Sequence, residues 1–441
     1  LGSFTSKNVP FFPTAQAGLN NYLTTSGQSQ TSTPTGYSVN VISKNFKYPT
    51  KLRTSIGLDK KLPDDWIVTG EFTYSKDINA TYMANQNLNE TKSAFAIDNG
   101  VDTRTRFNGD PTATSGYNAT NTFYSGTTLT NPNLGNVIWL GNSSKGYSYA
   151  ATVRISKTIR NFQTGVSYTH SDTKSTMENG STANTLWSSR PVSNTDPNAA
   201  VIGRPSWYSP DRVIAYFNWR IEYAKHFATS IGAVYEVQSN GASSFVYNGD
   251  LNGDGNTGND LIYIPNNAND IHLIDAGSYN KTTHTGTTTG TAADPRTAAQ
   301  IWAQLNNFIN QDHYLYKHRG HYAQANSVVQ PFYKHLDMNV TEDIYFYTKN
   351  GSDKDKHTLR LSVDIVNVGN MVNRNWGVVR SPVISNFLKL EGMGGPNLHT
   401  PLFSFPYADA PNQVPLVNSF APSTSIFSRW QMQFGIRYLF N

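Results

Sequence analysis

The sequence has no cysteine, so it can build neither a disulfide framework nor a thiolate metal site. It also lacks any apolar run of about twenty residues, the length a helix needs to cross a bilayer. Only 37% of its residues are hydrophobic, below the soluble-domain norm of about 45–50%, and only 15% are charged. A disordered chain would also be short of aromatics, yet this one carries 12%, including 25 tyrosines. The net charge of +5 is spread over turns, loops and strand faces rather than gathered on one element, which argues against nucleic-acid binding. No nucleophile motif, phosphate loop or paired-acid signature is present, so an enzyme is not expected. The chain opens at Leu1 with neither an initiator methionine nor a signal peptide. A secreted protein loses its signal on processing, and more than a signal is expected to be missing here.

What the chain does have is strict alternation. Tyr147, Tyr149, Ala151, Val153 and Ile155 fall on one side of a strand, with Ser148, Ala150, Thr152, Arg154 and Ser156 on the other. After a turn at Thr158-Ile159-Arg160-Asn161 the pattern resumes, with Phe162, Thr164, Val166 and Tyr168 against Gln163, Gly165, Ser167 and Thr169. A period of two gives a strand with one apolar and one polar face. Strands of about ten residues with aromatics at the ends of the apolar face fit a transmembrane barrel, with lipid outside and water inside. Such a barrel can be polar overall, because only half of each strand must be apolar.

Three more pairs repeat the unit. Leu52–Asp59 is predicted to pair with Trp66–Asp77, Arg212–Tyr223 with Phe227–Gln238, and His335–Tyr347 with Thr358–Val368. A ninth strand runs from Trp430 to Phe440; further strands in Tyr37–Tyr48 or Thr400–Tyr407 are conceivable. Turns within pairs are short, whereas the segments 78–146, 173–211, 239–334 and 369–429 are long. Alternating short and long connections are what outer-membrane barrels show, with the short turns on the periplasmic side. A soluble sandwich would not put every long loop at one end. The fold class expected is therefore all-β, a transmembrane antiparallel β-barrel. Nine is an odd number and a single-chain barrel must close, so the remaining strands are expected before Leu1. Within the third long loop, Asp294-Pro295 reads as an N-cap followed by proline at the first helical position. Ala298, Ile301, Trp302, Leu305, Phe308 and Ile309 then recur at helical spacing, predicting an amphipathic helix packed on neighbouring loops. The Gly/Thr-rich stretch Thr282–Thr291 reads as a mobile tip.

Four stretches resemble the carboxy-terminal half of TonB-dependent outer-membrane transporters, specifically the Oar-like subgroup: Leu52–Tyr74, Phe245–Pro265 (FVYNGDLNGDGNTGNDLIYIP), Asn307–Asn326 and Asp364–Gly377 (DIVNVGNMVNRNWG). The ending SRWQMQFGIRYLFN is similar to that family's last strand with its terminal aromatic, although Asn441 follows Phe440 here. The resemblance implies that residues 1–441 supply about nine carboxy-terminal strands of a barrel of about twenty-two. It implies energy-coupled solute import across the outer membrane of a Gram-negative bacterium. The family's amino-terminal plug and TonB-contacting motif have no counterpart in these residues and would belong to a missing upstream part. Expected partners are outer-membrane lipid, the TonB complex through that upstream part, and a surface lipoprotein or other outer-membrane complex partner. A different reading makes the barrel an anchor for adhesive or assembly loops.

One motif carries metal chemistry. Asp250-Leu-Asn252-Gly-Asp254-Gly255-Asn256 has the opening of an EF-hand loop, with oxygen side chains at positions one, three and five and glycine at six. Leu261 occupies the twelfth position, where the loop usually has an acid, and Asp260 falls one residue early. A structural Ca²⁺ would gather Asp250, Asn252, Asp254, the carbonyl of Asn256 and Asp260; the plain alternative is an Asx-rich turn without metal. His313, His318, His321 and His335 lie close in sequence but lack a carboxylate at ligand spacing, and read as a chance grouping. The Asn118-Ala-Thr sequon is expected by chance in an Asn/Thr-rich chain. Arg53, Glu71, Arg154, Arg220, Arg360 and Arg437 fall on polar strand faces and are expected to face the lumen or a plug.

Overall fold

A computed structural model describes residues 37–88, 93–94, 101–106, 134–178, 182–192, 196–347, 356–395 and 400–440. The Asn118 sequon, the polar turn at 348–355 and Asn441 lie outside them. Alternation produces what it should: nine long strands in one antiparallel meander. In chain order they are β1 (Thr50–Lys61), β2 (Trp66–Asn85), β3 (Tyr147–Ile159), β4 (Phe162–Lys174), β5 (Asp211–Tyr223), β6 (Phe227–Ser239), β7 (Phe332–Tyr347), β8 (Lys356–Val366) and β9 (Gln431–Phe440). Each pairs with its neighbour in sequence, and among the described residues β1 and β9 do not pair with each other. Among the described residues β1 and β9 are therefore both open edges of the meander.

Register fixes the faces. Val153 lies opposite Gly70 and Tyr168, Val363 opposite Val340 and Phe434, and Leu361 opposite Ile436. The apolar face is thus continuous from strand to strand. It is also uncovered: Val153 is 58% exposed, Phe434 73% and Ile436 78%.

Several boundaries differ from the sequence reading. The β3–β4 strands extend through Ile159 and Phe162, so the turn is only Arg160-Asn161, with Arg160 at a φ of 48°. β8 ends at Val366 rather than Val368, because Asn367 takes the left-handed conformation and starts a short helix. Tyr37–Ile42 is a strand, but it runs parallel to Leu134–Ser143 beyond the nine-stranded meander. Leu134–Ser143 and β3 pair with successive parts of β2, so the 20-residue β2 projects past the rest of the sheet.

The long connections leave the sheet at the end opposite the short turns, since every described short turn joins strands whose other ends feed a long segment. Two of these segments, between β6 and β7 and between β8 and β9, fold together as a cap. Its framework is a four-stranded sheet of Tyr247–Asn248, Leu388–Gly394, Thr400–Ser404 and His272–Leu273. Helix α1 (Ala298–Gln311) packs on it, burying Ile301, Leu305, Phe308 and Ile309 among Phe245, Phe387 and Phe405. Trp302 is partly buried against the same core. The Asp294-Pro295 start was misplaced. Asp294 is held by Arg296 Nε at 2.8 Å, and the helix begins three residues on, where Thr297 and Gln300 cap each other reciprocally. The predicted loose tip is likewise laid onto the cap: Asn280 bridges to Thr285, and Ala298 N donates to the Thr288 carbonyl. A β-carbon at Gly286 would lie 2.4 Å from Ile274, so only glycine allows that approach.

Candidate functional site

The Asp250 loop is wound around its own carboxylates. Asp250 accepts from Gly253 N at 2.8 Å, Asp254 N at 3.2 Å and Gly255 N at 2.9 Å. Gly253 and Gly255 sit at φ of 72° and 90°, which a side chain would resist. Asp254 accepts from Asn256 N at 2.9 Å and from the side-chain amides of Asn256, Asn252 and Asn259 at 3.0, 3.2 and 3.1 Å. Asp250, Asn252, Asp254, Asn259 and Asp260 are all buried, whereas Gly255, Thr257 and Gly258 form an exposed lip with Asn256 half-buried beside them.

Asp260 is engaged differently. Its Oδ2 accepts from Leu251 N and Asn252 N, and its Oδ1 takes an ion pair from Arg104 at 3.1 Å. Arg104 is wholly enclosed, pairs with Asp102 at 2.9 Å, donates to the Leu261 carbonyl, and lies over the rings of Tyr247 and Tyr322. Tyr322 donates to Asp102 at 2.8 Å. These partners come from distant parts of the chain, and no spacing around Asp250 announces them.

Electrostatics mark the loop as under-neutralised. Burial first, then Asp254 and Asp260 nearby, pushes the Asp250 carboxyl well above the usual range. Burial raises Asp254 too, and raises Asp260 to about 7 even with Arg104 beside it. Among the described residues no three His, Cys, Asp or Glu side chains are grouped to hold a metal ion. The histidines stay apart: His318 stacks on Tyr314 and contacts its carbonyl, His321 contacts the Arg319 carbonyl, and His335 the Gly377 carbonyl.

A second polar assembly lies on the sheet. Register puts Arg53, Glu71, Arg154, Arg220, Arg360 and Arg437 on one polar face. Arg360 meets Asp343 Oδ1 at 2.6 Å and Arg220 meets Oδ2 at 3.2 Å, leaving the Asp343 side chain 2% exposed. Arg220 also donates to the Tyr345 hydroxyl. Arg154 reaches the Tyr216 hydroxyl at 2.6 Å, while Arg53, Glu71 and Arg437 are exposed. Asp343 went unnoticed in the sequence, because Thr341, Glu342 and Asp343 are three polar residues in a row, which blurs the alternation there.

A cavity of about 640 Å³ opens between the 174–206 segment and residues 323–327, lined in part by Glu178, Arg190, Arg204 and Asn326. Glu178 accepts from Ser206 N and Oγ and from Asn326 Nδ2. Arg204 is paired with Asp172 at 3.0 Å.

Neither protein-family models nor curated proteins give a match to this chain.

Proposed function

We propose that these residues are the carboxy-terminal strands of an outer-membrane barrel that imports a solute with TonB-coupled energy. The observation that carries this reading is the uncovered apolar face of the nine-stranded meander. An exposed apolar surface spanning so many strands needs a cover, and hydrocarbon suits a face whose opposite side is lined by Arg, Asp, Ser and Thr. The open edges at β1 and β9 call for further strands to close the wall, since unpaired backbone is not tolerated in lipid. Long segments gathered at one end and folded into a cap suit the outer surface, where a solute is first met. The 640 Å³ cavity among them is of the size that encloses a small ligand.

The same wall would equally anchor an adhesive surface module, and the two uses separate genetically. For a transporter, removing TonB abolishes uptake while the protein stays folded in the outer membrane, with the mobility shift on heating that barrels show. Surface function that persists without TonB, with no solute uptake to lose, would favour the anchor. A protein recovered only in the soluble fraction would overturn both.

A further inference from the structure

We infer that the loop 250–259 is a calcium site, and that Asn259 rather than Asp260 completes it. Two independent observations meet here. The first is the ring of donors: the carboxylates of Asp250 and Asp254 and the amide of Asn252, buried together under a lip that leaves Gly255 and Thr257 open to solvent. The second is an orphan. Asn259 is 1% exposed, and its Oδ1 has no hydrogen-bond partner. Its Nδ2 is 3.1 Å from Asp254 Oδ2, so the orphan oxygen, on the same amide, borders the cluster. A buried amide oxygen without a partner is costly, and one beside a carboxylate is most simply satisfied by a cation between them.

The side-chain amides help hold the loop together. Asn252, Asn256 and Asn259 all turn Nδ2 toward Asp254, so three N–H donors occupy the place of a positive charge. Asp260 is unsuited to the task because its charge is already met by the buried Arg104 guanidinium at 3.1 Å. It ties the loop to the cap instead. The donor set is then two carboxylates, two amide oxygens and the Asn256 carbonyl, all hard oxygens, with water free to enter at the lip. That composition selects calcium over softer metals and over magnesium, which demands a tighter octahedron. With only two carboxylates, the affinity belongs among extracellular modules, on the order of 10⁻⁴–10⁻³ M.

This inference does not depend on the membrane reading of the sheet. The test uses the intact protein stripped with EGTA and titrated with calcium chloride by calorimetry, alongside limited proteolysis. One calcium should bind per chain, and EGTA should open 248–265 to protease while the strands stay resistant. Asn259→Ala should weaken binding by at least about tenfold, whereas Asn259→Asp should retain it and Asp260→Asn should keep the stoichiometry. Asp254→Asn, which relieves repulsion in the stripped loop, should make its protease resistance indifferent to EGTA. Absence of binding at 10⁻² M calcium (about ten times the weakest expected constant), with a loop equally resistant in EGTA, overturns the site. Equal protection by magnesium overturns the choice of calcium, and unchanged binding by Asn259→Ala overturns the role of Asn259.

Discussion

The sheet and the cap treat the same kinds of side chain in opposite ways. In the cap, Phe308, Phe387, Phe403 and Phe405 are enclosed, and helix, sheet and loop all converge on them. In the sheet, Val153, Phe434 and Ile436 project outward with none of the described residues covering them, while an aspartate sits enclosed between two arginines. A water-soluble fold is built like the cap throughout. The sheet gains little from burying its own apolar groups and is held by backbone pairing and by its polar face. The contrast is what a chain fitted to two solvents would show, with the boundary near the ends of β6, β7 and β8 where the cap begins.

That contrast can be broken most severely in the cap. Phe308→Ala should destabilise it by about 3–5 kcal/mol, the range for truncating a fully buried phenylalanine. Hydrogen exchange should report the loss in 245–265, 298–317 and 387–405 while β3–β6 remain protected. Loss of protection in the sheet as well would mean that the two regions are not separate cores.

The next test is on the outer face. Val153→Arg should cost about 2–4 kcal/mol if that residue lies near a bilayer midplane, and Thr152→Arg, one residue along on the polar face, much less. Equal effects on heat-modifiable gel mobility would show the faces to be wrongly assigned. On the polar face itself, Asp343→Asn should cost roughly 1–2 kcal/mol. Breaking a buried ion pair costs more, but both arginines are about a third exposed and water softens the loss. Denaturant unfolding of the Asp343 variant beside an Arg220→Gln, Arg360→Gln double variant checks that the effect belongs to the cluster. Smallest is Thr297→Ala, which removes the cap of α1 and should cost about 1 kcal/mol, read as earlier melting of the cap alone.

Legibility in the sequence follows the same division. Every hairpin of the meander could be read, because one face carries apolar side chains and the other polar ones, and that asymmetry writes a period of two. Leu134–Ser143 could not, since Leu134, Ile138 and Gly141 are buried at intervals that are not alternate. Cap strands of two to seven residues carry no period at all, and their partners are far away in sequence. The helix was visible through its apolar stripe, but its start was misread because Asp294 offers the residue type of an N-cap while its carboxylate serves Arg296. The Asp250 loop was found by spacing. What spacing could not show was that Asp260 is bound to Arg104 and that Asn259 points its amide into the cluster, because both depend on how the chain closes.

The most direct measurement uses the absence of cysteine. Single cysteines placed in turn at positions 149 to 156 of β3, in the intact protein reconstituted in lipid, can be spin-labelled and their collision rates with oxygen and with a water-soluble nickel complex compared. The account predicts that Tyr149, Ala151, Val153 and Ile155 positions favour oxygen, that Ala150, Thr152, Arg154 and Ser156 positions favour nickel, and that the ratio alternates with a period of two. Uniform access of the nickel complex to both sets would contradict it, and would place the sheet in water.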